Sequence, residues 1–470
     1  MRNISFTLSV ILLSCMTACQ PQKQSFDESF VEVSRENPFY FCLSNGDTYI
    51  PVGLNICWAR NMDEMERMFR LLGENGGNFT RVWLGGMYEY ETEYDKVNEE
   101  QIAKVDKILE FAGKYGIKVK MCIDNFRTIK PEGRDFNNKW AYHVDQGGPF
   151  TDMSDYMSDE RGQNVFLNRV KFFKNRYGDD PRVFAWEIWN EMNAISIPFD
   201  DKEKVLVPWN QAVMAKMQDI FPKNLVTQSM GSLDNVRYFK QYEGIMRIPE
   251  NDLIQVHRYI DEGASLPICQ APMDLLAADA INHLKAYRVY KPALLAEVGA
   301  VKPGHTGAHE AYRVDLDGTI LHDILFAPFF TGSAGPGHAW HWDNYVDRNN
   351  LWHHFRRFAN AIEGIDPVKE DFLPLRTDQA EFRVYVLKGR KSSLVWVRDS
   401  ENTWQTELME GIAPTLRSKA VLNLSDVFKN SQITQINIYD PWADKWSNAK
   451  ASPAVALPDF KRSIVLKINH

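Results

Sequence analysis

Trp186-Glu187-Ile188-Trp189-Asn190-Glu191-Met192-Asn193 follows Pro181-Arg182-Val183-Phe184-Ala185. The apolar run reads as a buried strand, and a polar pair, Asn190-Glu191, sits where it ends. In a parallel barrel, the carboxyl ends of the strands build the active site. A carboxylic acid placed there among indoles is desolvated, and desolvation raises its pKa. That is the property a general acid needs. The competing reading is a solvated strand end that only begins a loop.

A second stretch of the same design, Pro292-Ala293-Leu294-Leu295-Ala296-Glu297-Val298-Gly299, tips the balance. It is again an apolar strand ending in one carboxylate. Two such carboxylates on different strand ends of one barrel can face each other across a pocket, as glycoside hydrolysis requires. The pair resembles the Asn-Glu of the fourth strand and the Glu of the seventh strand in clan A glycoside hydrolases. It is most similar to family 5 and its endo-mannanase-like members.

Working outward, strand-like and helix-like patterns alternate from Pro38 onward, the mark of a parallel α/β sheet. Strands are expected at Tyr49–Cys57, Gly77–Leu84, Ile117–Ile123, the run before Asn190, Leu225–Ser229, Leu253–His257, Ala293–Ala296 and Ser333–Trp342. Helices are expected at Asp63–Glu74, Glu99–Tyr115, Asp159–Tyr177, Lys204–Phe221, Met273–Tyr290, Gly318–Phe330 and Asn349–Glu363, with a long loop at Asn125–Asp155. Eight βα units fit an α/β fold of the TIM (β/α)8 barrel type. Beyond Ile365-Asp366-Pro367 the period changes to short alternating strands, such as Phe382–Val386, Ser393–Val397 and Gln435–Tyr439. These predict a small C-terminal antiparallel β-sandwich. Its tryptophans, Trp396, Trp404, Trp442 and Trp446, form no concentrated platform, so packing on the barrel is favoured over glycan binding. The domains expected are a signal peptide over 1–18, a tether over 19–37, the barrel over 38–366 and the sandwich over 367–470.

Composition sets outer bounds. A net charge of −8 argues against nucleic acid as a partner. Aromatics at 12%, with 13 Trp, suit a cleft that stacks sugar faces, though Trp also fills cores. Arg2, the apolar run Ile4–Leu13 and small residues before Cys19 describe a secretory signal. Thr17-Ala18-Cys19 resembles a bacterial lipobox, with Met16 in place of the more usual Leu. That resemblance implies lipid on Cys19 and a chain anchored in the bacterial cell envelope without a transmembrane helix. Ordinary signal cleavage is the alternative. Cys42, Cys57, Cys122 and Cys269 show no metal-type spacing. Cys57 and Cys122 lie in apolar runs and read as buried small hydrophobes.

Against the family pattern, Arg81 at the end of Phe79–Trp83 matches the arginine held beside the nucleophile, where it would keep that carboxylate ionised. Asn190 would donate to a sugar 2-hydroxyl. His257-Arg258-Tyr259 resembles the family's His-x-Tyr. Tyr259 would then bond the nucleophile, and His257 would hold the acid/base. In Trp340-His341-Trp342, one indole matches the tryptophan under the attacked sugar, with Trp340 favoured over Trp342. Strand parity sets Glu187 apart from Asn190 and gives it a hydrogen-bonding role in the barrel rather than catalysis. One departure stands out. The third strand ends in Asp124-Asn125-Phe126, where the family often has a histidine. Either the sugar subsite favours a different sugar, or His143 in the next loop substitutes, so substrate identity does not follow from the resemblance. The resemblance implies a retaining β-glycosidase on β-mannan or β-glucan, with Glu297 as nucleophile and Glu191 as acid/base. It implies no metal or cofactor, a carbohydrate as the partner, and a monomer. The alternative is an inactive glycan-binding lipoprotein on the same fold.

Overall fold

The computed structural model describes residues 26–125, 141–158, 160–429 and 431–470. The chain begins with a three-stranded antiparallel meander, β1 (Val31–Val33), β2 (Phe41–Leu43) and β3 (Thr48–Tyr49). The segment expected as a tether up to residue 37 therefore already supplies a strand, because Val31 is buried and pairs with Leu43.

The barrel strands follow. They are β4 (Gly53–Asn55), β5 (Phe79–Trp83), then a small hairpin β6 (Glu91–Glu93) and β7 (Lys96–Val97), β8 (Lys118–Asp124), β9 (Val183–Trp189), β10 (Leu225–Thr227), β11 (Ile254–Asp261) and β12 (Ala293–Val301). Parallel pairing runs β10-β9-β8-β5-β4, and β11 pairs with β12. Asp252 N–H donates to Val226 O at 3.0 Å, and Leu233 N–H to His257 O at 2.8 Å, joining β10 to β11. The expected eighth strand is irregular. Ala334 and His338 N–H donate to Ala293 O and Leu295 O, both at 2.9 Å, and Asn55 N–H donates to Ala339 O at 3.0 Å. These bonds close the ring, but only Val298 and Ala339 form a ladder bridge. Gly335-Pro336-Gly337 explains this, since proline has no N–H for a ladder and glycine weakens a strand. From Trp342 to Asp347 the chain coils into a π-helical turn.

Around the barrel lie α1 (Met62–Glu74), α2 (Glu99–Tyr115), α3 (Met153–Ser158), α4 (Glu160–Tyr177), α5 (Lys202–Ile220), α6 (Phe239–Met246), α7 (Met273–Ala286), α8 (Thr319–Phe330) and α9 (His353–Ile362). α2 shows why such segments are helical. Asn98 caps the Gln101 N–H, Gly116 leaves the helix at φ 71°, and Ile102, Val105, Ile108, Leu109 and Ala112 bury one face. α8 differs, being buried on every side, with β12 beneath it and the C-terminal sheet above.

After α10 (Pro367–Glu370) come β13 (Leu373–Gln379), β14 (Phe382–Lys388), β15 (Ser392–Asp399), β16 (Val421–Asn423), β17 (Gln435–Asp440), β18 (Lys445–Ala449), β19 (Ala454–Ala456) and β20 (Ser463–Asn469). The sandwich is lopsided. Six antiparallel strands run β13-β14-β15-β20-β17-β18, and the two-stranded ribbon β16-β19, with Leu424, Phe428, Leu457 and Phe460, covers the outer face. Val384, Val386, Val395, Val397, Ile464 and Leu466 meet Leu422 and Val455 of that ribbon. Tyr385, Leu394, Trp396 and Val465 point the other way into the barrel's own core. Trp396 is fully buried against Phe326 and Phe330 of α8. Packing against the barrel is thus what this indole does.

Candidate active site

Arg81 is the hub. It comes from β5 and is wholly buried, so its charge needs partners. Nη1 donates to Glu297 Oε1, Nη2 to Asn190 Oδ1 at 2.7 Å, and Nε to Glu187 Oε2 at 2.6 Å. The fork of the guanidinium thus ties together Glu187 of β9, Asn190 just past its end and Glu297 of β12. Glu187 keeps the hydrogen-bonding role expected of it, but the parity reasoning fails. Residues three apart on a strand point oppositely, yet both Glu187 and Asn190 reach Arg81. The strand ends at Trp189, and Glu191 then turns left-handed at φ 50°. That conformation costs about 1–3 kcal/mol for a residue with a Cβ. Ser229 Oγ, accepting the Glu191 N–H at 3.1 Å, helps to hold it.

Glu297 does not end its strand. β12 runs on to Val301, and Glu297 sits at its middle. Between Val256/Leu295 and His257/Glu297 the register skips Ala296. This one-residue bulge turns Glu297 toward the same side as His257. Asn55 Nδ2 donates to the bulged Ala296 carbonyl at 3.1 Å. Tyr259 then donates its hydroxyl to Glu297 Oε2 at 2.6 Å. His257 Nδ1 lies 2.8 Å from Glu191 Oε1 and 3.5 Å from Glu297 Oε2. One carboxylate oxygen of Glu191 and one of Glu297 lie within 4.8 Å of each other.

The electrostatics separate the two acids. Burial pushes the Glu191 carboxyl well above the ordinary range, and the negative Glu297 pushes it further. Burial raises Glu297 too, and Arg81 does not bring it below the ordinary range, but Arg81 and the Tyr259 hydroxyl oppose that rise. Glu297 therefore loses its proton first, and Glu191 keeps its own. Burial, with Arg81 and Lys120 nearby, holds His257 neutral. Lys120 is a charge that the sequence did not disclose. It is buried below Glu187, 3.8 Å from Oε2, and donates to Gln255 Oε1 at 2.7 Å. Burial brings it down to about 8.

These groups open onto a cleft of about 440 Å³ at the carboxyl ends of the strands. Asn190 lines it with a buried Nδ2 that has no partner among the described residues. Trp340 also lines it, tilted against Trp83 with centroids 5.0 Å apart. Trp342 does not. It is buried behind Trp58 and donates Nε1–H to Trp58 O at 3.2 Å. A spacing of two puts side chains on one face only in a strand, and the π-helical turn begins at Trp342. His143 is no substitute either. It is buried, and its Nδ1 accepts the Asp145 N–H at 3.1 Å. Asp124 is tied to Arg169 at 2.7 Å. Asn193, Asp234, Tyr238, His305 and His341 line the cleft unforeseen, on loops and single 3-10 turns too short to show a period. Only the tryptophans flanking His341 could have drawn attention to it. Glu191, His257 and Glu297 have metal-ligand chemistry, as do Asp234, Asp261 and His305. Cys57, Cys122 and Cys269 are buried free thiols and Cys42 is a half-buried one, while Cys19 lies outside the described residues.

Comparison with known proteins agrees with this geometry. Residues 42–316 match Cellulase (glycosyl hydrolase family 5). Mannan endo-1,4-beta-mannosidase 7 of Arabidopsis thaliana is 24% identical over 331 residues, covering 63% of this chain and 74% of the relative. A solved glycoside hydrolase aligns over 94% of this chain and 97% of its own, at 14% identity and a TM-score of 0.62. The endo-beta-1,4-mannanase of Thermotoga petrophila aligns over 90% and 92%, at 15% identity and a TM-score of 0.52. Those two likenesses establish the TIM barrel with its C-terminal β-domain. The family match covers most of the barrel, with the Arg81, Asn190, Glu191 and Glu297 cluster inside it, and the chain belongs to glycosyl hydrolase family 5.

Proposed function

We propose that this glycoside hydrolase cleaves β-mannan-type polysaccharides or oligosaccharides with retention of configuration. The observation that carries the reading is one oxygen of Glu191 and one of Glu297 lying within 4.8 Å of each other, with His257 Nδ1 close to both carboxylates. Retaining enzymes hold their two carboxyl groups about 5–5.5 Å apart, whereas inverting enzymes leave room for a water at about 6.5–9.5 Å. Glu297, ionised beside Arg81, attacks the anomeric carbon. Glu191 gives its proton to the departing glycosidic oxygen. The glycosyl–Glu297 ester then forms, and Glu191, now a base, takes a proton from the water that hydrolyses it. The unpartnered Asn190 Nδ2 is a donor for a hydroxyl of the attacked sugar, which stacks on Trp340. The mannan endo-1,4-beta-mannosidase relatives support the choice of sugar. The lipobox-like Thr17-Ala18-Cys19 supports attachment to the cell envelope through Cys19.

Turnover of β-mannan and of aryl β-glycosides tests the activity. With 2-deoxy-2-fluoro-β-mannosyl fluoride, a covalent adduct should accumulate on a peptide containing Glu297. An inverted first-formed product, or an adduct elsewhere, would contradict the mechanism. Binding of mannan without turnover would favour an inactive glycan-binding protein.

A further inference from the structure

One cleft-lining imidazole has no part in this mechanism. His341 stands over Gly299, just beyond Glu297 on β12. A Cβ at Gly299 would lie 2.7 Å from the Tyr312 oxygen and 3.0 Å from His341 Nδ1, so glycine is what admits this pair. The ring's Nδ1 edge faces Gly299 and Tyr312. The residue itself lines the cleft together with Trp340, and no side chain among the described residues bonds its Nε2.

Tyr312 decides which nitrogen of His341 carries the hydrogen. Its oxygen accepts the Ala300 N–H at 2.6 Å and lies 3.2 Å from His341 Nδ1. A phenol has one proton to give. Among the described residues, His341 Nδ1 is the only acceptor within hydrogen-bond reach of it. Burial raises the Tyr312 phenol, so it keeps that proton. Burial, with His305 nearby, brings His341 down to about 3, so its ring is neutral at working pH. A neutral ring whose Nδ1 accepts must carry its hydrogen on Nε2.

We propose that His341 Nε2–H is a fixed donor to a hydroxyl oxygen of the sugar stacked on Trp340, and a specificity-determining residue of the cleft. Position supports the choice of that sugar. His341 is next to Trp340 in the chain, and its centroid is 6.4 Å from that of Tyr259, which bonds Glu297. Preorganisation gives the donor its selectivity. A site built to bond a hydroxyl rejects the analogue that lacks it, because the buried N–H is left unpaired.

The inference rests on the glycosidase reading, but half of its test needs no substrate. Long-range 1H–15N correlation spectra of the labelled enzyme read the tautomer directly. Wild type should show His341 with hydrogen on Nε2, and Tyr312→Phe should populate the Nδ1–H form. The other half uses aryl β-mannobiosides deoxygenated one position at a time in the attacked sugar. One deoxygenation should lower wild-type kcat/KM about 10-fold and leave His341→Phe nearly indifferent. A wild-type Nδ1–H tautomer overturns the proposal. So do deoxygenation penalties that are equal in wild type and variant at every position. Failure of the mannan reading looks different, as absent turnover of the parent mannobioside by wild type.

Discussion

At the scale of single residues, one side chain sets the roles of two others. Arg81 bonds Glu297 and not Glu191, so two carboxyls in one cleft part with their protons in a fixed order. The sign of the pH dependence follows. Activity should rise as Glu297 ionises and fall as Glu191, whose proton is held well above the ordinary carboxyl range, loses it. Glu191→Gln should abolish that alkaline limb. It should lower kcat/KM by about 10²–10⁴-fold on natural glycosides, and less on glycosides of acidic phenols. Equal losses on both kinds of substrate, with the alkaline limb intact, would remove Glu191 from the acid role.

At the scale of elements, α8 is the layer packed between barrel and sheet. His322 sits on it, buried against Phe326 and Trp396, with Nε2 2.7 Å from Ser463 Oγ. Burial holds its imidazole well below the ordinary value. The unfolded chain takes up this proton as pH falls through about 6.5, and the folded chain does not. Stability from His322 is therefore present above that pH and declines below it by about 1.4 kcal/mol per pH unit. Replacing His322 with Asn should flatten the fall in unfolding free energy between pH 6.5 and 5 by one proton's worth. Denaturant titrations across that range measure it, and an unchanged slope would mean that the folded His322 titrates normally.

At the scale of the whole molecule, the C-terminal sheet is welded to the barrel. Arg383 donates to both oxygens of Asp274, at 2.6 and 2.9 Å, and Tyr385 adds a hydroxyl at 2.8 Å. Arg398 donates to Asp323 at 2.8 Å, also out of solvent. Removing one partner of such a pair leaves a buried charge, at about 3–5 kcal/mol. The cleft lies at the carboxyl ends of the barrel strands, and the meander that follows the N-terminal segment packs near their amino ends, with Tyr49 Oη donating to Asn78 O at 2.9 Å. Cys19→Ala should release the protein from the membrane fraction or block its processing. Wild type found wholly soluble with an unmodified N-terminus would remove the anchor.

Much of this was legible in the chain itself. Apolar runs that end in Asn190-Glu191 and in Glu297, and the change of period after Pro367, came from local spacing and burial, which any short window carries. Arg81, His257, Tyr259 and Trp340 were legible through the family resemblance. Only the tertiary structure decided how side chains meet across the barrel. The skip at Ala296 brings Glu297 and His257 to one side, the left-handed turn at Glu191 undoes the parity of β9, and the coil at Trp342 withdraws an indole from the cleft. Each is a break in a repeat, and a periodic pattern cannot report its own interruptions. Lys120, Tyr312 and His341 were hidden for a related reason. What they do is set by partners on other strands and loops, and those distances exist only once the barrel has closed.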